Sequence, residues 1–180
     1  GGIAVNEAPL IETGFEYDRE WMVVDQRGDQ VTQRQLPRMA LIQPTLRASD
    51  LLLRAPGMLA LHLQLGAVEG DCRVRVWNDT VDAFDMGDLA AQWFSDFLGQ
   101  PVRLARFDPD VRRIADRQWT QEIESRTAFA DAFPLLVTST ASLHELNRRL
   151  VAAGRDAVPM QRFRPNIVID GIEDAHGEDF

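Results

Sequence analysis

Two arginine-containing blocks have the residue types and spacing best suited to chemistry in this 180-residue sequence. The first is Tyr17-Asp18-Arg19-Glu20-Trp21, in which Arg19 stands between two acids just before an apolar run. The second is Arg164-Pro165-Asn166, in which an arginine and an amide precede another apolar run. A guanidinium fork makes charge-assisted bonds to phosphate or carboxylate that are worth about 1.5–3 kcal/mol each. Both blocks are therefore candidate anion sites.

The residue types also allow a purely structural interpretation of these blocks. In extended backbone, residues two apart point the same way, so Arg164 and Asn166 would converge on one ligand. The alternative is that Arg19 pairs with Asp18 or another nearby acid, while Arg164 bonds carbonyl groups of the protein itself. Exposed ion pairs of that kind are worth only about 0–1 kcal/mol. Chemistry alone leaves both interpretations open.

Conventional catalytic and metal-binding patterns are missing from the sequence. It contains no lysine, which excludes a P-loop lysine and a Schiff-base lysine, and its single cysteine, Cys72, excludes an internal disulfide and a multi-cysteine metal site. His62, His144 and His176 have no ligand spacing, and no G-x-G-x-x-G, G-x-S-x-G or H-E-x-x-H motif occurs. We therefore assign no catalytic residue and no metal ligand, and we expect Cys72 to be a small buried residue.

Charge and hydropathy restrict the partners. A net charge of -9, from 28 acidic and 19 basic residues, argues against nucleic acid and anionic membranes because the overall field repels phosphate. No apolar run approaches the roughly 20 residues of a membrane span. We predict no nucleic-acid partner, no membrane partner and a cytoplasmic location.

Short extended segments separated by turn residues fill the first two-thirds of the chain and predict a small barrel or sandwich. Strands are predicted at 20–25, 31–35, 41–46, 51–54, 59–65, 72–77, 80–84 and 102–107. Alternation in the sixth segment places Cys72, Val74 and Val76 on one face. A helix is predicted from a cap at Asp85 to Gly99, with an apolar stripe made by Leu89, Trp93, Phe94, Phe97 and Leu98.

A different pattern follows. Residues 108–128 are arginine-rich and aperiodic, which indicates a long connection that is either functional or a solvated linker. A buried strand at 133–138, a helix from Ser139 or Thr140 to about Val151, a stop at Gly154 and a strand at 162–169 come next. The predicted fold class is α+β, mainly β. It comprises a small β-barrel-like domain with one packed helix over 1–120 and an incomplete strand-helix-strand unit over 121–180.

Four sequence blocks resemble a known family in order and spacing. The runs 17–25 and 32–42 resemble the N-terminal MOSC-associated β-barrel domain, and the runs 141–147 and 162–168 resemble the beginning of the MOSC domain itself. The order of these blocks is similar to that in the mitochondrial amidoxime-reducing component and its bacterial relatives. The resemblance covers nearly the whole chain.

The resemblance implies a molybdenum-cofactor oxidoreductase that reduces small N-hydroxylated compounds with electrons from a redox partner protein or domain. It assigns Arg19, Arg164 and Asn166 to the phosphate-bearing pterin cofactor. It adds the backbone of Ala132 and Phe133, although the Ser and Thr residues of some relatives are absent there. The oxyanion-rich cofactor would give the two arginines a ligand.

The sequence also departs from that family. The molybdenum-binding cysteine is expected beyond Phe180, and a lysine–serine phosphate contact is expected before Gly1. The resemblance therefore implies a truncated chain, inactive alone and without tightly bound molybdenum cofactor. One alternative is a non-catalytic β-barrel binding or interaction module. A second is a molybdenum-cofactor sulfurase-like sulfur carrier, which would need a pyridoxal-phosphate partner domain because this chain lacks lysine.

Overall fold

The computed structural model describes residues 2–3 and 5–172 of the chain. The chain divides into two compact units, Gly1–Pro134 and Leu135–Phe180. The predicted domain boundary after residue 120 lies before this division and stays a prediction. The predicted fold class is confirmed, because short strands predominate and one long helix packs within the first unit.

The first unit is built from two antiparallel sheets. One sheet has the strand order β3-β9-β8-β7 and the other has the order β4-β5-β6, while β1 and β2 form a separate short hairpin. Their bounds are β1 (Leu10–Ile11), β2 (Gly14–Phe15), β3 (Trp21–Val24), β4 (Gln43–Leu46), β5 (Asp50–Arg54), β6 (Leu61–Gln64), β7 (Gly70–Val76), β8 (Asp79–Asp85) and β9 (Arg103–Phe107). The helices are a 3₁₀ helix (Pro37–Leu41), α1 (Gly87–Leu98) and the single-turn α2 (Arg117–Thr120).

The four-stranded sheet is buried on both faces. Val23 belongs to a core shared with β5, β6 and α1, whereas its neighbours Met22 and Val24 belong to a second core on the opposite face. That second core includes Val74 and Val76 of β7, with Cys72 packed against it, as the alternation predicted. Ala128, at the end of the long connection after β9, also belongs to this second core. The connection is therefore not a solvated linker at its end.

Helix α1 has a side-chain hydrogen bond at its beginning and a left-handed glycine at its end. The N-cap residue is Met86 rather than the predicted Asp85, but Asp85 Oδ1 still accepts the Gly87 N–H at 2.7 Å. Gly99 ends the helix with φ 76°, a left-handed conformation that glycine adopts without steric cost. The predicted stripe is correct except at Leu89, which is 74% exposed.

Two predicted strands of the first unit are wrong or too long. The segment 31–35 makes only the start of a pairing, through Val31 N–H to Val23 O, and then turns because Gln35 Oε1 accepts the Thr32 N–H at 2.7 Å. The predicted strand 41–46 begins only at Gln43, since a 3₁₀ helix starting at Pro37 occupies the preceding residues.

The second unit is a strand-helix-strand arrangement, as predicted. Strands β10 (Val137–Ser139) and β11 (Ile167–Ile169) pair in parallel, with α3 (Thr140–Ala152) and a 3₁₀ helix (Met160–Arg162) between them. Ser139 is the N-cap of α3 and its hydroxyl accepts the Ser142 N–H at 3.0 Å. Gly154 follows the helix with φ 69°.

Both predicted strands of this unit are shorter than expected. The segment 133–138 is not a buried strand, because pairing starts at Val137 and that residue is 41% exposed. The segment 162–169 becomes a strand only at Ile167, because the preceding 3₁₀ turn and a left-handed residue at Arg164 interrupt the extended backbone.

Candidate functional site

Arg19 lies in a tight turn between β2 and β3. The turn is closed by the Asp18 N–H bonding Phe15 O at 2.9 Å and by the Tyr17 N–H bonding Glu20 Oε1 at 3.0 Å. Arg19 itself has φ 55°, and Tyr17 has φ 65°. The left-handed backbone conformation costs a residue with a Cβ about 1–2 kcal/mol, so the surroundings of Arg19 must impose it.

The guanidinium of Arg19 forms an ion pair with Asp18. The Arg19 side chain is 25% exposed, so it lies partly within the fold while part of it still meets solvent. The structural alternative from the sequence is therefore correct in naming Asp18 as a partner. It does not exclude an anion ligand, because a guanidinium carries five N–H donors in one plane.

The neighbours of Arg19 are anchored separately. Trp21 pairs with Arg106 in the β3–β9 register, stacks near Tyr17 at 6.1 Å between ring centroids, and lies 5.4 Å from the Arg106 guanidinium. Arg106 also pairs with Glu20 at 3.4 Å. Arg106 has no signal in the sequence that marks it as part of this site, apart from its position in the predicted strand 102–107.

The segment that precedes Ala132 and Phe133 is attached to Arg19. The Phe129 N–H donates to the Arg19 carbonyl oxygen at 3.0 Å. Thr127, Ala128 and Phe129 are buried, whereas Ala132 and Phe133 are exposed. Neither Ala132 nor Phe133 donates a backbone hydrogen bond to any residue that the structure describes. The first unit therefore brings Arg19 close to the chain segment that carries the two predicted backbone contacts.

In the second unit, Arg164 and Asn166 do not have the predicted extended geometry. Arg164 is exposed and has φ 56°, so simple alternation does not align it with Asn166. Asn166 bonds Leu136 twice: its N–H donates to Leu136 O at 2.9 Å, and its Oδ1 accepts the Leu136 N–H at 3.0 Å. Its side-chain oxygen therefore orders the backbone before β10.

Cys72 is half-buried rather than fully buried as predicted, and it packs against the edge of the second core. Burial and then the charge of Asp85 raise the pKa of its thiol, which disfavours the thiolate needed for nucleophilic attack. Asp85 has a lowered pKa because it accepts hydrogen bonds from Arg103. Among the described residues, His, Cys, Asp and Glu form no group of three that could hold a metal ion.

Neither of the two histidines that the structure describes belongs to such a group. His62 Nδ1 lies 2.8 Å from Asp50 Oδ2 on the three-stranded sheet, and His144 lies on α3. His176 is outside the residues that the structure describes. No helix in the described part of the chain is long and apolar enough to cross a membrane.

The donor chemistry fits the phosphate of a pterin cofactor. Within the first unit, Arg19 provides a planar cationic fork, and the exposed residues Ala132 and Phe133 provide main-chain N–H donors. Within the second unit, Arg164 provides another such fork. Missing hydroxyls at Ala132 and Phe133 leave that segment with main-chain donors only. These assignments stay predictions.

A further residue that the sequence analysis missed is Arg113, in the long connection after β9. It belongs to the arginine-rich, aperiodic stretch 108–128. Its side chain is 7% exposed and bonds Asp79, Ala128 O and Ala130 O. No local periodicity distinguishes it from Arg112 beside it, whose ion pair with Glu124 is exposed.

Comparison with known proteins gives consistent matches along the chain. Residues 1–101 match the MOSC N-terminal beta barrel domain, and residues 124–180 match the MOSC domain. Mitochondrial amidoxime-reducing component 1 of Mus musculus is 38% identical, over 94% of this chain and 52% of that protein. The Homo sapiens protein of the same name is 35% identical, over 99% of this chain and 54% of that protein.

A third relative is mitochondrial amidoxime reducing component 2 of Bos taurus, at 34% identity over 94% of this chain and 52% of that protein. The chain thus spans about half the length of the curated relatives it matches. Those relatives are named mitochondrial, and the cytoplasmic location of this chain stays a prediction. Because the N-terminal domain match covers more than half of its residues and the second match follows in order, the chain belongs to the MOSC family.

Proposed function

We propose that this chain is part of a molybdenum-cofactor reductase for small N-hydroxylated compounds, and that it binds the phosphate of the pterin. The names of the relatives support the reaction class, since they are amidoxime-reducing components. The observation that carries the binding role is the backbone of Arg19 and Arg164. Both have positive φ, at 55° and 56°.

That backbone conformation is uncommon for residues with a Cβ. Among the described residues, the non-glycine positions that share it are Tyr17, Arg19, Trp77, Gln121 and Arg164. Strained backbone persists where the surrounding structure over-determines it, and such residues cluster at ligand sites. Arg19 is over-determined by the turn that encloses it and by its bond from Phe129. Both arginines that the family resemblance assigns to the pterin phosphate thus have an unfavourable backbone conformation.

Each residue has a distinct role in the proposal. Arg19 and Arg164 neutralise the phosphate, and Asp18 holds the Arg19 fork in place until the ligand competes for it. Asn166 orders the backbone at Leu136, so it acts as a positioning residue. The N–H groups of Ala132 and Phe133 donate to the same phosphate. We do not assign Cys72 to molybdenum, because it packs against the apolar second core of the first unit.

The cofactor, when bound, supplies the redox chemistry. Reduction of an N-hydroxyl group takes two electrons and two protons, breaks the N–O bond, and yields N–H and water. The electrons come from a partner protein or domain in the proposal. The contribution of the present chain is to bind and orient the phosphate end of the pterin.

Binding is tested with a 6-hydroxymethylpterin phosphate monoester, titrated into the purified chain and followed by NMR. Arg19→Met and Arg164→Met are each expected to weaken binding at least about tenfold, because one charge-assisted phosphate contact is worth 1.5 kcal/mol or more. Arg73→Met is the matched control, since Arg73 is also ion-paired to a nearby carboxylate, Asp82. Unchanged binding in the Arg19 and Arg164 variants would overturn the phosphate role and favour the interaction module.

The reaction class is tested in the complete gene product from a host that makes molybdenum cofactor. We expect bound molybdenum and reduction of an N-hydroxyamidine by reduced methyl viologen. Protein prepared with tungstate in place of molybdate is the control and should lose the activity. A gene product that binds no molybdenum would exclude this function.

A further inference from the structure

Arg113 has an unusual environment for an arginine in a surface connection. Its Nη1 donates to two main-chain carbonyls, Ala128 O and Ala130 O, at 2.7 Å each, and its Nε donates to Asp79 Oδ2 at 2.9 Å. Asp79 is 53% exposed, whereas the Arg113 side chain is 7% exposed. The guanidinium is thus buried mainly against main-chain oxygens.

The segment that Arg113 holds is the one that bonds Arg19. Arg113 fixes the carbonyls of Ala128 and Ala130, and the residue between them, Phe129, donates its N–H to Arg19 O at 3.0 Å. The main chain of Arg113 adds another bond, because its carbonyl accepts the Thr127 N–H at 3.0 Å. One buried side chain therefore stands two hydrogen bonds away from the strained arginine of the candidate site.

The tip of the β7–β8 hairpin holds the same segment one step further along the chain. Trp77 Nε1 donates to Asp131 Oδ1 at 3.0 Å. Asp79, which pairs with Arg113, begins β8 at the same hairpin. Ala132 and Phe133 come directly after Asp131, so their backbone direction depends on where this hairpin and Arg113 hold the preceding residues.

A burial role alone gives no reason for a charged residue here. A buried charge is costly to desolvate, and apolar residues of similar volume often give equal or greater stability. What an arginine offers at this position is direction, because its planar fork fixes two carbonyl oxygens together. Phe129, by contrast, is held by packing, with its ring 5.3 Å from that of Phe107.

We propose that Arg113 is a positioning residue for the phosphate site. By fixing Ala128 and Ala130 it sets the Phe129 N–H that maintains the left-handed conformation of Arg19, and it directs the Ala132–Phe133 backbone toward the ligand. This inference rests on the proposed phosphate-binding function. It adds a residue that touches neither cofactor nor substrate.

The test compares Arg113→Met with Arg126→Met in the purified chain. Arg126 is a matched control because it also bonds one carboxylate, Glu12, and two carbonyls, those of Pro109 and Val111. The probe is the 6-hydroxymethylpterin phosphate monoester. We expect Arg113→Met to weaken binding about tenfold and to accelerate hydrogen exchange of the Phe129 amide, while Arg126→Met leaves both unchanged. Arg113→Lys should recover part of the affinity.

Two further variants decide the matter if Arg113→Met fails to fold. Trp77→Phe and Asp79→Ala each remove one bond from the same assembly at an exposed position, and each should weaken probe binding about two- to fivefold. Wild-type affinity in both variants would overturn the inference. So would wild-type affinity in a folded Arg113→Met protein whose Phe129 amide exchanges faster, since Arg113 would then be only structural.

Failure of this inference is distinguishable from failure of the proposed function. If Arg19→Met weakens probe binding and Arg113→Met does not, the phosphate site stands and the positioning role is wrong. If Arg19→Met also has no effect, the phosphate site itself is wrong and the positioning role falls with it.

Discussion

Asn166 satisfies both the N–H and the carbonyl of Leu136, one with its side chain and one with its main chain. The Leu136 N–H donates to Asn166 Oδ1 at 3.0 Å, and the Asn166 N–H donates to Leu136 O at 2.9 Å. Regular β10–β11 pairing begins at the next residues, Val137 and Ile167. An amide side chain is thus what continues the pairing past the end of a short parallel sheet.

This relationship predicts different consequences for two substitutions of Asn166. Asn166→Ala should lower the free energy of unfolding by about 0.5–1.5 kcal/mol, because the Leu136 N–H loses its side-chain acceptor in a solvent-exposed pair. Asn166→Asp keeps that acceptor and should keep most of the stability, but its added negative charge beside Arg164 should weaken binding of the pterin phosphate. Urea denaturation and NMR titration measure the two effects.

Asn147 provides the control for Asn166. Its Oδ1 accepts the Val158 N–H at 2.8 Å and its Nδ2 donates to Val158 O at 2.9 Å. Asn147→Ala should therefore cost similar stability and leave phosphate binding unchanged. Equal weakening of phosphate binding by both alanine variants would contradict a specific role for Asn166.

A second prediction concerns the strain at Arg164. Arg164→Gly should be more stable than Arg164→Ala by about 1 kcal/mol, because glycine adopts φ 56° without the steric cost that a Cβ brings. Both variants lose the guanidinium, so both should bind the probe poorly. The same pair at exposed Arg155, which does not share the positive φ, should show no such gain for glycine. Thermal denaturation measures the difference.

The Asp85–Arg103 pair predicts a pH-dependent stability. Arg103 bonds Asp85 at 2.5 Å and 2.9 Å, which lowers the pKa of the Asp85 carboxyl below its usual value near 3.8. A carboxyl with a depressed pKa stabilises the fold above its unfolded pKa, and that contribution is lost as the pH falls through the folded pKa.

Asp85→Asn should therefore destabilise the protein by about 1–2 kcal/mol near pH 7. We expect no larger loss, because solvent screens the charge of the partly exposed Arg103. The difference between wild type and variant should shrink as the pH falls below the unfolded value near 3.8 and on through the folded pKa. Urea denaturation across this range measures it. Asp82→Asn is the control, because its pair with Arg73 is exposed and should contribute about 0–1 kcal/mol. A pH-independent difference at Asp85 would contradict the electrostatic explanation.

Comparing Gly28 with Gly57 distinguishes the energetic cost of a steric clash from the energetic cost of a positive φ. At Gly28, φ is 82° and an added Cβ would lie 2.5 Å from Arg73 O, whereas at Gly57 φ is 77° and nothing lies within 4 Å. Gly57→Ala should cost about 1 kcal/mol, and Gly28→Ala should cost about 2–4 kcal/mol because backbone must also move. Thermal denaturation of both variants tests this; equal losses would mean that the turn at Gly28 relaxes freely.

The features of the fold that follow from backbone geometry and side-chain periodicity could be predicted from the sequence. Alternation in β7 correctly placed Cys72, Val74 and Val76 on one face, because side-chain direction in a strand depends only on chain geometry. Helix α1 was predicted with its stop at Gly99 for the same local reason. The segment 31–35 was predicted wrongly. Its residue pattern indicated a strand, but the Gln35 side chain accepts the Thr32 N–H and the chain turns there.

The features of the candidate site also fall into those that the sequence predicts and those that only the structure shows. Sequence alone determined the family, the fold class and the identity of the arginines, because these depend on residue types and their order along the chain. Only the tertiary structure decided that Arg19 and Arg164 have left-handed backbone, that Asn166 orders Leu136, and that Arg113 is buried against Ala128 and Ala130. Most of these features are hydrogen bonds between residues more than ten positions apart, and no local periodicity encodes which carbonyl a distant donor will meet.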